Sequence, residues 1–255
     1  MYGENDLSSC SLFAGSYINF GFWKHLSCAA TVSIEQRIKS QADMYRAALI
    51  RLGLQAGDRV LEVGCGVGVG GALALTEFEP LEVHGVDISP AQVARANQVN
   101  AELLQRQPGK LVFQEGSALA LPYPDGSFDR VFSIEAAQHF ENLVGFVREA
   151  YRVLKPGGSL AVATFFTPRE GVVGELTQLI ETVQNGIDVV VPVGSFHRDL
   201  IREGFSRAEV ESIGKYVWYG FDAWMSQTEF KQSWGRNWLR AYEQGLIDYY
   251  IVTAT

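Results

Sequence analysis

The chain of 255 residues is long enough to bury the core of one large α/β domain, with or without a modest cap, and too short to favour two independent domains. Its hydrophobic fraction of 47% and charged fraction of 20% are ordinary for a globular protein, and no apolar run approaches a membrane span. A formal net charge of -8 argues against the broad Lys and Arg surface that nucleic acid requires, so the expected partner is a small molecule.

Apolar residues recur at helical spacing through 34–54 (Ile38, Ala42, Tyr45, Leu49, Leu52), and Gly53 with Gly57 stops this helix before a first strand around Val60 and Leu61. Residues 82–88 read as a second buried strand. Ser89 then reads as an N-cap, with Pro90 in the first turn and Gln92 completing a capping box, on a helix reaching about Gln105. Leu111-Val112-Phe113-Gln114 is a third strand and residues 128–134 a fourth. A helix over 142–154 stops at Lys155-Pro156-Gly157-Gly158 before a fifth strand over 159–166. Strand and helix alternate throughout, which implies right-handed crossovers and a doubly wound, mostly parallel sheet covered on both faces. Beyond Thr167 the spacing predicts helices over 173–184 and 196–203, a strand over 208–213, an aromatic stretch over 216–242 and a last strand over 248–254.

Cys10, Cys28 and Cys65 are odd in number and widely spaced, and they read as free thiols. The first six residues lack a basic segment ahead of an apolar stretch, so a cytoplasmic location is expected. The glycine turn Val63-Gly64-Cys65-Gly66 at the end of the first strand lets the backbone bend sharply and approach a ligand, and Asp87 closes the second strand where an acid meets ribose hydroxyls. Together these read as a nucleoside site. By itself the turn could equally serve a dinucleotide or tight helix packing.

The wider pattern narrows this. Val60-Leu61-Glu62-Val63-Gly64-Cys65-Gly66, Gly85-Val86-Asp87-Ile88-Ser89, the stretch from Leu121-Pro122 to Phe128-Asp129, and Val153-Leu154-Lys155-Pro156-Gly157-Gly158 resemble the class I S-adenosylmethionine-dependent methyltransferases, continuously over about 58–166. Asn19-Phe20-Gly21-Phe22-Trp23 is similar to a segment preceding the domain in small-molecule members acting on sterols, tocopherols and macrolides. The resemblance implies a seven-stranded sheet with the last strand antiparallel beside the fifth, residues 1–33 as an N-terminal lid, a domain over 34–255, and cap insertions near 168–195 and 216–242. It implies S-adenosyl-L-methionine as cofactor. Gly64, Cys65 and Gly66 would border its methionine part; Glu62 would orient the loop or meet the ammonium; Asp87 would take the ribose hydroxyls and Ile88 the adenine face. Gln92 would reach the ribose or methionine end, and Tyr17 and Glu135 complete the implied cofactor set. Many relatives carry an acid after the glycine of the third strand, whereas Gly116 is followed here by Ser117 and Ala118, a hydroxyl and a backbone amide, which implies a weaker adenine contact.

The fourth strand ends in Ile134-Glu135-Ala136-Ala137-Gln138-His139 rather than the Asn/Asp-Pro-Pro-aromatic motif of enzymes that methylate planar amines. The expected acceptor is therefore a small hydrophobic or aromatic metabolite, methylated on oxygen, with nitrogen and carbon as alternatives. His139 is the candidate general base, since imidazole titrates near neutral pH; its alternative role is packing beneath the lid. His84 reads as a packing residue, His25 as part of the lid and His197 as a helix-start residue, and no metal is expected because no pair has metal-ligand spacing. Trp218, Phe221 and Trp224 are the candidate substrate-binding aromatics. A nicotinamide-dependent oxidoreductase and a non-catalytic cofactor-binding protein remain as alternatives from other classes.

Overall fold

The computed structural model describes residues 12–24 and 31–255, so Cys10, Cys28 and His25 lie outside the described residues. Helix α1 (Ile34–Leu52) begins where the Ser33 hydroxyl accepts from the Gln36 amide and the Gln36 side chain accepts from the Ser33 amide, a complete capping box. It ends at Gly53, whose φ of 70° lets its amide turn back on the Ile50 carbonyl. There follow β1 (Arg59–Val63), α2 (Val69–Phe78), β2 (Glu82–Asp87), α3 (Pro90–Val99), α4 (Ala101–Arg106), β3 (Leu111–Glu115), β4 (Phe128–Ile134), α5 (Leu143–Val153) and β5 (Leu154–Phe166). The remainder comprises α6 (Val173–Leu176), α7 (Glu181–Gln184), α8 (Val193–Arg202), β6 (Ala208–Ser212), α9 (Trp218–Met225), α10 (Asn237–Glu243) and β7 (Asp248–Ala254). Among the described residues no helix is long and apolar enough to cross a membrane.

The strands form one seven-stranded sheet in the order β3-β2-β1-β4-β5-β7-β6. Strands β1 to β5 are parallel, and β7 lies antiparallel between β5 and β6. Strand order reverses between β1 and β4, which opens a crevice at their carboxyl ends. Both faces are covered, and side chains alternate between two cores. Val60, Phe132, Ala163 and Tyr249 face the core beneath α1, α2 and α9, while Leu61, Val131, Val162 and Tyr250 face the one beneath α5 and α8.

Several expectations are corrected. The helix after Ser89 breaks at Asn100, whose side-chain amide donates to the carbonyls of Ala96 and Val67, tying the helix to the glycine turn. Its capping box is half formed, because Ser89 accepts from the Gln92 amide while the Gln92 side chain turns elsewhere. Strand–helix alternation fails between β3 and β4, which are joined by residues 116–127 without a helix. Strand β5 starts at Leu154 rather than 159; Phe128 pairs with Leu154 and Arg130 already with Ser159, so the Lys155 to Gly158 turn is a bulge within the strand. Lys155 Nζ anchors it on the Asp129 carboxylate at 2.8 and 2.9 Å. The helix expected over 173–184 is two single turns, α6 and α7.

Removing the Ser33 hydroxyl breaks the capping box far from the crevice. Ser33→Ala is expected to cost about 1 kcal/mol in denaturant-induced unfolding, with unchanged ligand affinity.

Candidate active site

The crevice holds a cavity of about 440 Å³, bordered by the glycine turn, the end of β2, the loop after β3 and the end of β4. Gly64 has φ of 79°, and its amide and that of Cys65 both donate to the Val86 carbonyl, at 2.8 and 3.0 Å. A Cβ on Gly64 would lie 2.4 Å from that of Ala136, so only glycine lets the turn approach the end of β4 this closely. A Cβ on Gly66, at φ of 52°, would meet nothing within 4 Å and would project into open space. Asp87 Oδ2 accepts from the Gly66 amide and Oδ1 from the Ser89 amide, both at 2.9 Å, so one carboxylate joins the two loops at the crevice floor.

Of the expected cofactor residues, Gly64, Cys65, Gly66, Asp87, Ile88, Gln92, Ser117, Ala118 and Glu135 all line this cavity. Ile88 is 73% exposed and presents a bare apolar face, whereas Gln92 is 2% exposed with its Oε1 lacking a hydrogen-bond partner. Ser117 Oγ already accepts from the Leu119 amide at 3.1 Å. The Cys65 thiol is buried, and burial, with Glu62 and Asp87 nearby, pushes it well up.

Glu62 and Tyr17 are not on the wall. Glu62 is buried behind the glycine turn against Tyr45 and Gly70, and neither oxygen makes a well-formed hydrogen bond. That position supports the loop and does not reach the cavity. Burial pushes its carboxyl up to about 8, an effect to which the Asp87 charge adds. The Tyr17 ring packs against Tyr45, with centroids 5.6 Å apart, and its neighbours Ser16 and Ile18 reach the cavity instead.

A second cavity of about 280 Å³ adjoins the first, and the two share Ile18, Glu135 and His139. Residues 12–23 wall it off through buried Arg37, which donates to the carbonyls of Leu12, Asn19 and Phe20 at 3.2, 2.7 and 2.9 Å. Burial lowers this guanidinium to about 9, opposed by the Glu135 charge. Glu135, at φ of 52°, accepts from the Tyr249 hydroxyl at 2.8 Å, the Gln138 amide at 3.2 Å and the Phe20 amide at 3.4 Å. Burial pushes its carboxyl up to about 8 despite these donors.

His139 lies in a 3₁₀ turn at 137–139, its Nδ1 3.1 Å from the Ile187 carbonyl and 3.3 Å from Asp188 Oδ1. Its Nε2 is 3.3 Å from the Gln138 side-chain nitrogen. His84 sits on β2 against Tyr123 and Phe128, and His197 lies within α8 rather than at its start; neither borders these two cavities.

Of the expected substrate aromatics, only Phe221 lines the second cavity. Trp218 is fully buried one layer behind, stacked on Trp238 with centroids 5.5 Å apart and planes at 5°. Trp224 turns aside, its Nε1 donating to the Leu12 carbonyl. The wall is built instead by Phe20, Phe165, Phe230, Trp234 and Trp238, with Met225. Asp188 also went unrecognised; its only sequence signal is a carboxylate inside the apolar run Ile187 to Val191.

Residues 61–162 match the family described as Methyltransferase domain. The chain is 34% identical over 234 residues to Erythromycin 3''-O-methyltransferase of Saccharopolyspora erythraea, covering 87% of this chain and 74% of that one. It is 31% identical over 209 residues to 27-O-demethylrifamycin SV methyltransferase of Amycolatopsis mediterranei, covering 80% and 71% respectively. Geranyl diphosphate C-methyltransferase from Streptomyces coelicolor A3(2), solved with Mg2+, geranyl diphosphate and S-adenosyl-L-homocysteine, shares the fold with a TM-score of 0.80 at 17% identity, covering 93% of this chain and 91% of that one. The sheet and its crevice define a class I S-adenosylmethionine-dependent methyltransferase. The chain belongs to this family, in its small-molecule branch.

Glu62 makes folding sensitive to pH. Its carboxyl is raised in the folded state, so its contribution is fully present below about 4.5 and is lost as pH rises toward about 8. Glu62→Gln is expected to raise the Tm by several degrees at pH 8 and to change it by less than about 2 °C at pH 5, measured by calorimetry.

Proposed function

We propose that the protein transfers a methyl group from S-adenosyl-L-methionine to a hydroxyl of a small, largely apolar or aromatic acceptor held in the second cavity. The observation that carries this reading is the junction of the two cavities at Ile18, Glu135 and His139, where a donor in one and an acceptor in the other would meet. The first cavity suits the cofactor: Gln92 offers a buried, unpartnered acceptor, and the open space at Gly66 admits a ligand against bare backbone. S-adenosylmethionine supplies an electrophilic methyl group on a sulfonium sulfur.

The remaining lone pairs of Asp87 would accept from ribose hydroxyls, Ile88 would cover adenine, and Ser117 with the Ala118 backbone would face the base edge. The glycine turn leaves room for the methionine part. Phe20, Phe221 and Trp238 hold the acceptor away from water, so orientation and a dry site carry most of the rate. His139 Nε2 would take the acceptor's hydroxyl proton as its oxygen attacks the methyl group, the carbon–sulfur electron pair going to sulfur.

One observation favours a second reading, methyl transfer to an amine. Glu135 and Asp188 both line the second cavity, and among the described residues no Lys or Arg does, which suits a cationic acceptor.

Turnover of labelled S-adenosylmethionine against matched phenols, alcohols and amines separates these readings; failure of every acceptor despite tight cofactor binding would contradict both. For a hydroxyl acceptor, His139→Ala is expected to lower kcat about 100-fold while S-adenosylhomocysteine affinity, by calorimetry, stays unchanged. Unaltered kcat would remove the base role.

A further inference from the structure

We propose that Asp188 is a positioning residue that holds the His139 ring as the Nδ1–H tautomer, so that the segment between β5 and α8 contributes to catalysis. This rests on the reading of His139 as the base.

The geometry leaves little freedom for the ring. Beside Nδ1 stand the Ile187 carbonyl oxygen at 3.1 Å, to which it donates, and Asp188 Oδ1 at 3.3 Å, which can also only accept, so Nδ1 carries the proton. On the other side the Thr164 hydroxyl donates to Gln138 Oε1 at 2.7 Å, which fixes the orientation of that amide. The NH₂ group of Gln138 then faces Glu135 Oε2 and His139 Nε2, at 3.2 and 3.3 Å. Nε2 is thereby an acceptor from both directions of reasoning: its neighbour donates, and the ring's one proton is already on Nδ1. The Gln138 contact is long, so an acceptor hydroxyl arriving at the junction displaces it readily.

Asp188 is 7% exposed and is held there by backbone bonds. Its own amide donates to the Thr182 carbonyl and the next amide, Val189, donates to the Gln138 carbonyl, at 2.9 and 2.8 Å, so the loop is pinned to the turn that carries His139. Glu135, on the ring's own segment, lines the second cavity with it, and Glu141 with Asp87 lines the first. Among the described residues, Asp188 is the carboxylate recorded within 4 Å of Nδ1.

The test needs no acceptor. In full-length protein labelled with nitrogen-15 histidine and saturated with S-adenosylhomocysteine, the resonances of His139 are assigned by their loss in His139→Asn. The neutral ring is expected to show a protonated Nδ1 and an unprotonated Nε2, and Asp188→Asn, whose side-chain NH₂ can donate where the carboxylate accepted, is expected to move the neutral ring toward the Nε2–H tautomer. A protonated Nε2 in the wild type, or an unchanged tautomer in Asp188→Asn, would overturn the proposal. If Asp188→Asn does not fold, Asp188→Ala is read in the same way. Should the tautomers behave as expected while His139→Ala retains full turnover, the base reading fails and the positioning of the ring stands.

Discussion

The close approach of the β1 turn to the end of β4 is the constraint on which the site depends. With φ of 79° and no side chain, Gly64 lets two backbones meet where a Cβ would collide with Ala136. One side of this contact carries Cys65, Gly66 and the Asp87 bridge to the next loop; the other carries Glu135 and His139. The residues on the two sides belong to different strands, and their spacing is set by this contact rather than by either loop alone. A sheet whose order reverses between β1 and β4 supplies the crevice, and the glycine makes it narrow enough for the two cavities to share a wall.

The rest of that wall comes from residues 12–23. They have no regular structure of their own and depend on α1, where Arg37, Ser40 and Gln41 are buried polar side chains. Each pairs with backbone of this segment or its own helix: Arg37 holds three carbonyls, Gln41 takes the Ala14 amide and gives to the Tyr17 carbonyl, and Ser40 returns to the Arg37 carbonyl. A buried guanidinium is costly unless its donors are used, and here all of those bonds go to the segment that carries Ile18 and Phe20. The polar interior of α1 thus positions an apolar wall.

Much of this was legible in the sequence, for physical reasons that also mark where legibility ended. Strands β1 to β4 are short apolar runs between strong turn signals, and the glycine turn with Asp87 stands at their expected ends, so much of the first cavity's lining could be named from sequence. Lys155 to Gly158 contains every local signal of a stop, yet the backbone resumes the same strand after a bulge, an outcome fixed by pairing with β4 and the Asp129 anchor. The aromatic stretch was visible as composition, but which rings face the cavity depends on how α9 and α10 seat against Phe20; Trp218 stacks behind Trp238 while Phe221 reaches the wall. Tyr17 likewise lies between two cavity residues yet is not on the wall, its ring packing on Tyr45. Asp188 is 49 residues beyond His139, and only the backbone bonds of its loop bring the two together.

A crystal structure with S-adenosyl-L-homocysteine tests the central claim, that one junction joins a cofactor cleft to an acceptor chamber. The account predicts the ribose at Asp87, the adenine beside Ile88 and Ser117, and the sulfur directed at the boundary formed by Ile18, Glu135 and His139, with the aromatic cavity left open beyond it. A ligand whose sulfur faced away from that boundary, or one lying in the aromatic cavity, would contradict it.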